Sequence, residues 1–171
     1  GVACARTIEK ALRSRGSGLD VRIKWPNDVY VRERKILGVL TEAVSGPRSS
    51  AGAPRFLLIG VGINANFALD QLPPEIAARA TTLQQLLSED VDLDRLLESL
   101  ANEFSRVLAA DGLERSTLAE ARFRLHGVGK PAEVRTGAGS IVSGVLVGLS
   151  EEGLPIVRTT TGDVLGMGLE R

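Results

Sequence analysis

The stretch KWPNDVYVRERKILGVLTE, Lys24 to Glu42, holds two turns and the strands that they join. Val21 to Lys24 runs into Pro26-Asn27-Asp28. Proline presets φ and Asn and Asp tolerate unusual backbone angles, so these three suit a turn. Val29 to Arg32 follows as a second strand, Arg32-Glu33-Arg34 as a charged turn, and Ile36 to Ala43 as a third strand. A lysine and the chain's one tryptophan, Lys24 and Trp25, stand at the mouth of the first turn, where a turn by itself has no use for them.

Working outward, Phe56 to Val61 reads as a fourth strand, and the run suggests a largely antiparallel sheet carried on helices, an α+β fold. Upstream, Val2, Ala5, Ile8, Ala11 and Leu12 recur at helical spacing, with Gly16 and Gly18 closing the helix. The chain opens without methionine inside this amphipathic pattern, so we expect further residues upstream. Ser45 to Pro54, SGPRSSAGAP, has the composition of a flexible surface loop. Thr82 to Leu87 gives a short helix. A longer one follows Asp92, with Leu93, Leu96, Leu97, Leu100, Phe104, Val107 and Leu108 expected on one face and Gly112 as its stop. Thr117 and Glu120 have the spacing of a capping box for a third helix ending near Leu125. From Gly127 the helix formers give way to short alternating runs, AEVRT, SIVSGVLVGL, LPIVRT and DVLGMGL, at the spacing of a small all-β barrel. A boundary is expected at Leu125 to Gly129, dividing residues 1–126 from 127–171.

Composition narrows the chemistry. With 171 residues the chain can build one good core, or a core and a small satellite. Hydrophobic residues make up 43% and the mean hydropathy is +0.07, which fits a folded soluble protein. Lys+Arg and Asp+Glu both number 21, so no global field points to nucleic acid or membrane and anion recognition must be local. One cysteine and one histidine, Cys4 and His126, exclude an intramolecular disulfide, a cysteine metal cluster and a histidine-rich metal site. No apolar run approaches the ~20 residues that span a bilayer. From these absences we expect a cytoplasmic protein.

Three clusters carry chemistry. In KWPND, Lys24 suits an anion and Asp28, fixed by the turn, suits a hard cation such as Mg²⁺; the plain alternative is a hairpin anchored by tryptophan. In RERKILGVLTE, Lys35 precedes Gly38, and glycine inside a strand often marks close approach of a ligand to bare backbone. The plain alternative there is a solvated lysine flank. In IGVGINAN, residues 59 to 66, Gly60, Gly62 and Asn64 alternate, which puts them on one strand face and Val61 and Ile63 on the other. That face is an open floor ending in an amide able to donate and accept, as adenine's edge requires; a bulge or turn is the alternative. Neither GxGxxG nor GxxxxGK[ST] occurs, so a dinucleotide fold and a P-loop are excluded.

Taken together and in this order, KWPNDVYVRERKILGVLTE and GVGINAN resemble the biotin protein ligases, which activate biotin with ATP and attach it to a lysine of a carrier domain. The resemblance implies a class II synthetase-like catalytic domain followed by a small SH3-like barrel. By position it implies that Lys35 meets the carboxylate of biotin and the phosphate of the adenylate. It places Gly38 and Val39 along the biotin pocket, with Gly60, Gly62 and Ile63 as its floor. Asn64 would read adenine, and Lys24, Asn27 and Asp28 would lie near the phosphates, Asp28 on the metal. Lys35 and Lys24 are the implied catalytic cations, because fixed charge lowers the barrier of nucleotidyl transfer. The implied ligands are biotin, ATP and Mg²⁺, and the implied partner is the biotin carrier domain of a carboxylase, with a homodimer possible and no nucleic-acid or membrane partner evident in this segment. The family also carries an upstream Gly/Arg-rich loop and polar readers of the ureido ring. Nothing in these 171 residues matches them, so the chain is expected to lack the N-terminal part of the catalytic domain. A lipoate-type ligase, or a non-catalytic nucleotide- or carrier-binding module of the same fold, are the alternatives.

Overall fold

Helix α1, Val2–Arg13, buries Val2, Ala5, Ile8 and Leu12 along one side. The chain then reverses at Gly16, whose φ of 74° is a conformation that costs glycine nothing and whose N–H donates to the Arg13 carbonyl at 3.0 Å. The computed structural model describes residues 1–44, 56–109 and 115–166, and the backbone alone of 168–169. Ser45 to Pro54 and Gly112 therefore lie outside the described residues.

Under the apolar side of α1 lies an antiparallel sheet of four strands: β1 (Val21–Lys24), β2 (Asp28–Val31), β3 (Arg34–Val44) and β4 (Phe56–Ile63), in the order β1-β2-β3-β4. The register pairs Lys24 with Asp28, Asp28 with Gly38 and Gly38 with Gly62. One face carries Val21, Ile23, Val29, Val31, Leu37 and Val39, all buried in the core with α1. Each such side chain contributes roughly 1.5–3 kcal/mol on burial, so this face alone fixes which way the sheet is turned. The opposite face is left for chemistry. On β4 and the far half of β3, Leu40, Leu57 and Leu58 are exposed.

β3 and β4 run slightly beyond their sequence limits, starting at Arg34 and continuing to Ile63, whereas β2 is shifted by one residue to Asp28–Val31, Arg32 belonging to the turn with a φ of 50°. After β4 a strap crosses the sheet through a 3-10 turn (Leu69–Gln71) and α2 (Pro74–Ala77), then returns to β3, where Ala80 bridges Lys35. Thr82 caps α3 (Leu83–Leu87) by accepting from the Gln85 N–H, and Asp92 caps α4 (Leu93–Leu108) by accepting from Arg95 N–H. The expected stripe on α4 splits. Leu96 and Leu100 are buried, whereas Leu93, Leu97 and Leu108 are exposed, because the stripe is wider than the surface that α1 covers. Helix α5 is Arg115–Phe123, so Thr117 sits inside the helix and is not its cap; Glu120 instead accepts from Arg6 and Arg124.

Residues 131–169 form a second antiparallel sheet, β5 (Pro131–Arg135), β6 (Ile141–Leu149), β7 (Pro155–Thr159), β8 (Gly162–Leu165) and β9 (Gly168–Leu169), in the order β8-β7-β6-β5-β9. Among the described residues β8 and β9 do not pair, so the sheet does not close into the expected small barrel. The sheet is nonetheless rolled. Consecutive β8 and β9 lie at opposite edges, which in a flat sheet of five strands stand about 19 Å apart, yet the three Cα steps between them reach only about 11 Å. A Cβ on Gly166 would lie 2.5 Å from that of Val134, so the crossing chain presses directly on β5. Leu125, Val134, Leu146, Leu149 and Val157 form this sheet's own core. No described helix is long and apolar enough to cross a membrane.

Candidate active site

Lys35 and Gly38 are three residues apart, which on a regular strand places them on opposite faces. The register between β2 and β3 shifts here: Val29 pairs with Leu37 but Tyr30 pairs with Lys35, leaving Ile36 as the extra residue of a bulge. Ile36 and Leu37 are consequently both buried, and Lys35 turns onto the open face beside Gly38. There Lys35 Nζ lies 2.6 Å from Asp28 Oδ1. The pair occupies the space above the bare backbone of Gly38, where a Cβ would stand 3.1 Å from Lys35 Nζ and 3.4 Å from Asp28 Oδ1. The glycine thus makes room for the ion pair itself. Asp28 is nearly buried, with only 10% of its side chain exposed, and no donor is aligned on Oδ1 as a hydrogen bond despite the close ammonium.

The turn before Asp28 is held from both sides. Asn27 Nδ2 donates to the Val39 carbonyl at 2.7 Å and the Val39 N–H donates to the Asn27 carbonyl at 2.8 Å, which locks the turn to β3. The Trp25–Pro26 peptide is cis, and Trp25 Nε1 donates to the Gly153 carbonyl at 2.8 Å, in the turn between β6 and β7. Tryptophan therefore packs behind the turn against the second sheet. Lys24 lies forward of it, its Nζ 5.5 Å from the centre of the Tyr30 ring.

Asn64 follows β4 directly. Its N–H donates to the Ile36 carbonyl at 2.8 Å, and its Nδ2 donates to the carbonyls of Thr81 (3.0 Å) and Lys35 (3.4 Å). Two carbonyl neighbours accept only, so they fix the amide's orientation and leave Oδ1 as the acceptor that can be offered to a ligand. Gly60 and Gly62 lie on the same face of the sheet as Gly38. A Cβ on Gly62 would meet nothing within 4 Å, and one on Gly60 would come no closer than 3.8 Å to the Leu40 carbonyl.

These elements surround a cleft of about 490 Å³ lined by Lys24, Asp28, Tyr30, Lys35 and Asn64, with Leu72, Ile76, Arg79 and Ala80 of the strap on the far side. Three cations, Lys24, Lys35 and Arg79, face one carboxylate, so the cleft suits an anion. Of the residues expected at the site, Lys24, Asp28, Lys35 and Asn64 come together around the cleft, and Gly38, Gly60 and Gly62 share its sheet face. Val39 and Ile63 send their side chains into the core on the other face. Asn27 spends its amide donor on β3. Tyr30, Leu72, Ile76 and Arg79 escaped the sequence reading. Tyr30 could have been found from its period-two spacing to Asp28; the others depend on the strap's return and leave no local signal.

Among the described residues no three His, Cys, Asp or Glu side chains gather to hold a metal. Of the described residues that line the cleft, Asp28 is the one carboxylate, and it would hold a Mg²⁺ there through the oxygen that the Lys35 ammonium does not contact.

A model of the biotin/lipoate A/B protein ligase family matches residues 1–64. The bifunctional ligase/repressor BirA of Bacillus spizizenii is 30% identical over 164 residues, which cover 94% of this chain and 47% of that protein. The biotin--[acetyl-CoA-carboxylase] ligase of Paracoccus denitrificans is 31% identical over 153 residues, covering 86% of this chain and 60% of that one. A biotin protein ligase from Aquifex aeolicus, solved in complex with biotin and ATP, has a TM-score of 0.78 at 27% identity and covers 99% of this chain and 70% of that one. The chain spans about half the length of the BirA relative.

Proposed function

We propose that this chain, which belongs to the biotin/lipoate A/B protein ligase family, serves an ATP-dependent biotin protein ligase that makes biotinyl-5′-AMP and transfers biotin to a lysine of a carrier domain. The observation that carries the reading is the Asp28–Lys35 pair seated on Gly38 and aimed by the bulge into a cleft with excess positive charge. The likeness to a ligase solved with biotin and ATP supports it.

In the first step a carboxylate oxygen of biotin attacks the α-phosphorus of ATP, and the bond from that phosphorus to the bridging oxygen breaks as pyrophosphate leaves. Negative charge gathers on the phosphoryl oxygens, and Lys35 and Lys24 stand where it gathers. Asp28 is the residue that would hold Mg²⁺, which when bound neutralises phosphate charge. Asn64 Oδ1 accepts from the exocyclic amino group of adenine. Gly60 and Gly62 give the biotin chain a floor without side chains, and Gly38 beside them makes room for the Asp28–Lys35 pair. In the second step the carrier's neutral lysine nitrogen attacks the acyl carbon, AMP leaves and the nitrogen gives up its proton. No protein nucleophile is needed; positioning and charge suffice.

The test is to incubate the full-length protein with ATP, biotin and a carrier domain and read the carrier by mass spectrometry. One biotinyl group on one lysine is expected with biotin, and no adduct with lipoate. A lipoyl adduct, or an unmodified carrier beside a protein that binds both ligands, overturns the reading.

A further inference from the structure

The strap that returns after β4 is stitched to the two peptide groups of Lys35. The Lys35 N–H donates to the Arg79 carbonyl at 2.8 Å, and the Thr81 N–H donates to the Lys35 carbonyl at 2.9 Å. Arg79 is thereby held beside the site's central lysine by backbone bonds, while its side chain remains free to face the cleft. The guanidinium makes one hydrogen bond, from Nε to the Glu75 carbonyl at 3.2 Å, and among the described residues no carboxylate pairs with it. Lys35 differs, for Asp28 already balances its charge. A cleft that keeps Lys24 and Arg79 without a carboxylate partner suits a ligand of more than one negative charge. A guanidinium fork matches the oxygens of a phosphate better than an ammonium does.

We propose that Arg79 binds the polyphosphate of the nucleotide, as a third cation beside Lys24 and Lys35. This rests on the reading of the cleft as a nucleotide site and adds a residue to it. Lys35 sits at the reacting phosphate, and Arg79 takes the β- and γ-phosphates that depart as pyrophosphate. Because Arg79 is tied to the peptide of Lys35, the backbones that carry the two cations stay side by side whenever the strap is seated.

Calorimetric titration of the full-length protein with ATP and, separately, with adenosine tests this. Loss of one charged hydrogen-bonding group should weaken ATP about tenfold in Arg79→Gln. Adenosine affinity should be unchanged, and Arg79→Lys, which keeps the charge but loses the fork, should fall between the wild type and Arg79→Gln for ATP. Unchanged ATP affinity in Arg79→Gln overturns the proposal. So does an equal loss for ATP and adenosine, which would make Arg79 a cover for the base or a strut of the strap. A wild-type protein that binds no ATP sinks the nucleotide reading itself, and that result differs from a failure of Arg79.

Discussion

At Gly62 the two roles open to a strand glycine part company. A structural glycine is bare because a neighbour occupies the space of its Cβ; a ligand floor is bare because nothing does. Gly62 is of the second kind, with no atom within 4 Å of a built Cβ. A Cβ there meets nothing within 4 Å and valine suits an exposed strand position, so Gly62→Val should shift stability by no more than about 0.5 kcal/mol. If biotin lies on this face, its affinity should fall by at least about tenfold in the same protein. Melting temperature and biotin affinity measured together decide it, and intact affinity would remove Gly62 from the floor. Residue identities were largely legible here: Lys24, Asp28, Lys35 and Asn64 stand out by type and spacing. The bulge at Ile36 was not, since two adjacent buried residues look like any apolar run until the partner strand is known.

Helices α1, α4 and α5 are joined by charge as well as by apolar packing. Glu103, with 2% of its side chain exposed, accepts from Lys10 and Arg106 and lies 3.6 Å from Arg6. Glu120 accepts from Arg6 at 2.6 Å and Arg124 at 2.8 Å, and Arg124 also reaches Glu9 at 2.8 Å. Burial pushes the carboxyls of Glu103 and Glu120 up, but the bonds and charges of these cations outweigh it and hold both below the ordinary glutamate value. The folded state therefore binds fewer protons than the unfolded chain near pH 4. Stability from this network is full above the unfolded value of about 4.3 and is lost as pH falls through the lower folded values. Urea denaturation from pH 7 to pH 3 should show that loss. In Glu103→Gln the acid slope should be shallower and the protein weaker at pH 7 by about 1–3 kcal/mol, a discounted figure because its cations are themselves half exposed. An acid slope unchanged in Glu103→Gln would mean that this carboxylate does not govern the transition. Helical period located α4, yet it gave no warning of Glu103, because a charge on a helix reads as a solvated face until α1 brings its own cations against it.

Across the whole molecule, the first sheet and its strand order follow from turn chemistry and alternation, while everything that closes the site over it comes from long-range return. The strap bridges Lys35 from Ala80, residues 124–126 add to the edge of β1 through Ile23, and Trp25 binds the Gly153 carbonyl. These contacts join positions far apart in the chain, so no local pattern announces them. The second sheet was legible as short strands but not in its topology, because the crossing from β8 to β9 depends on how far the sheet rolls. That Lys35 is held here against developing phosphate charge is the proposed basis of catalysis. It is tested by biotin-dependent release of pyrophosphate from ATP, measured on the full-length protein and its Lys35→Ala variant at equal fold content. Release is expected from the wild type only when biotin is present, with a loss of about 10²-fold in the variant, the effect of removing one such electrostatic contact. Near-normal release from a folded Lys35→Ala protein would contradict it.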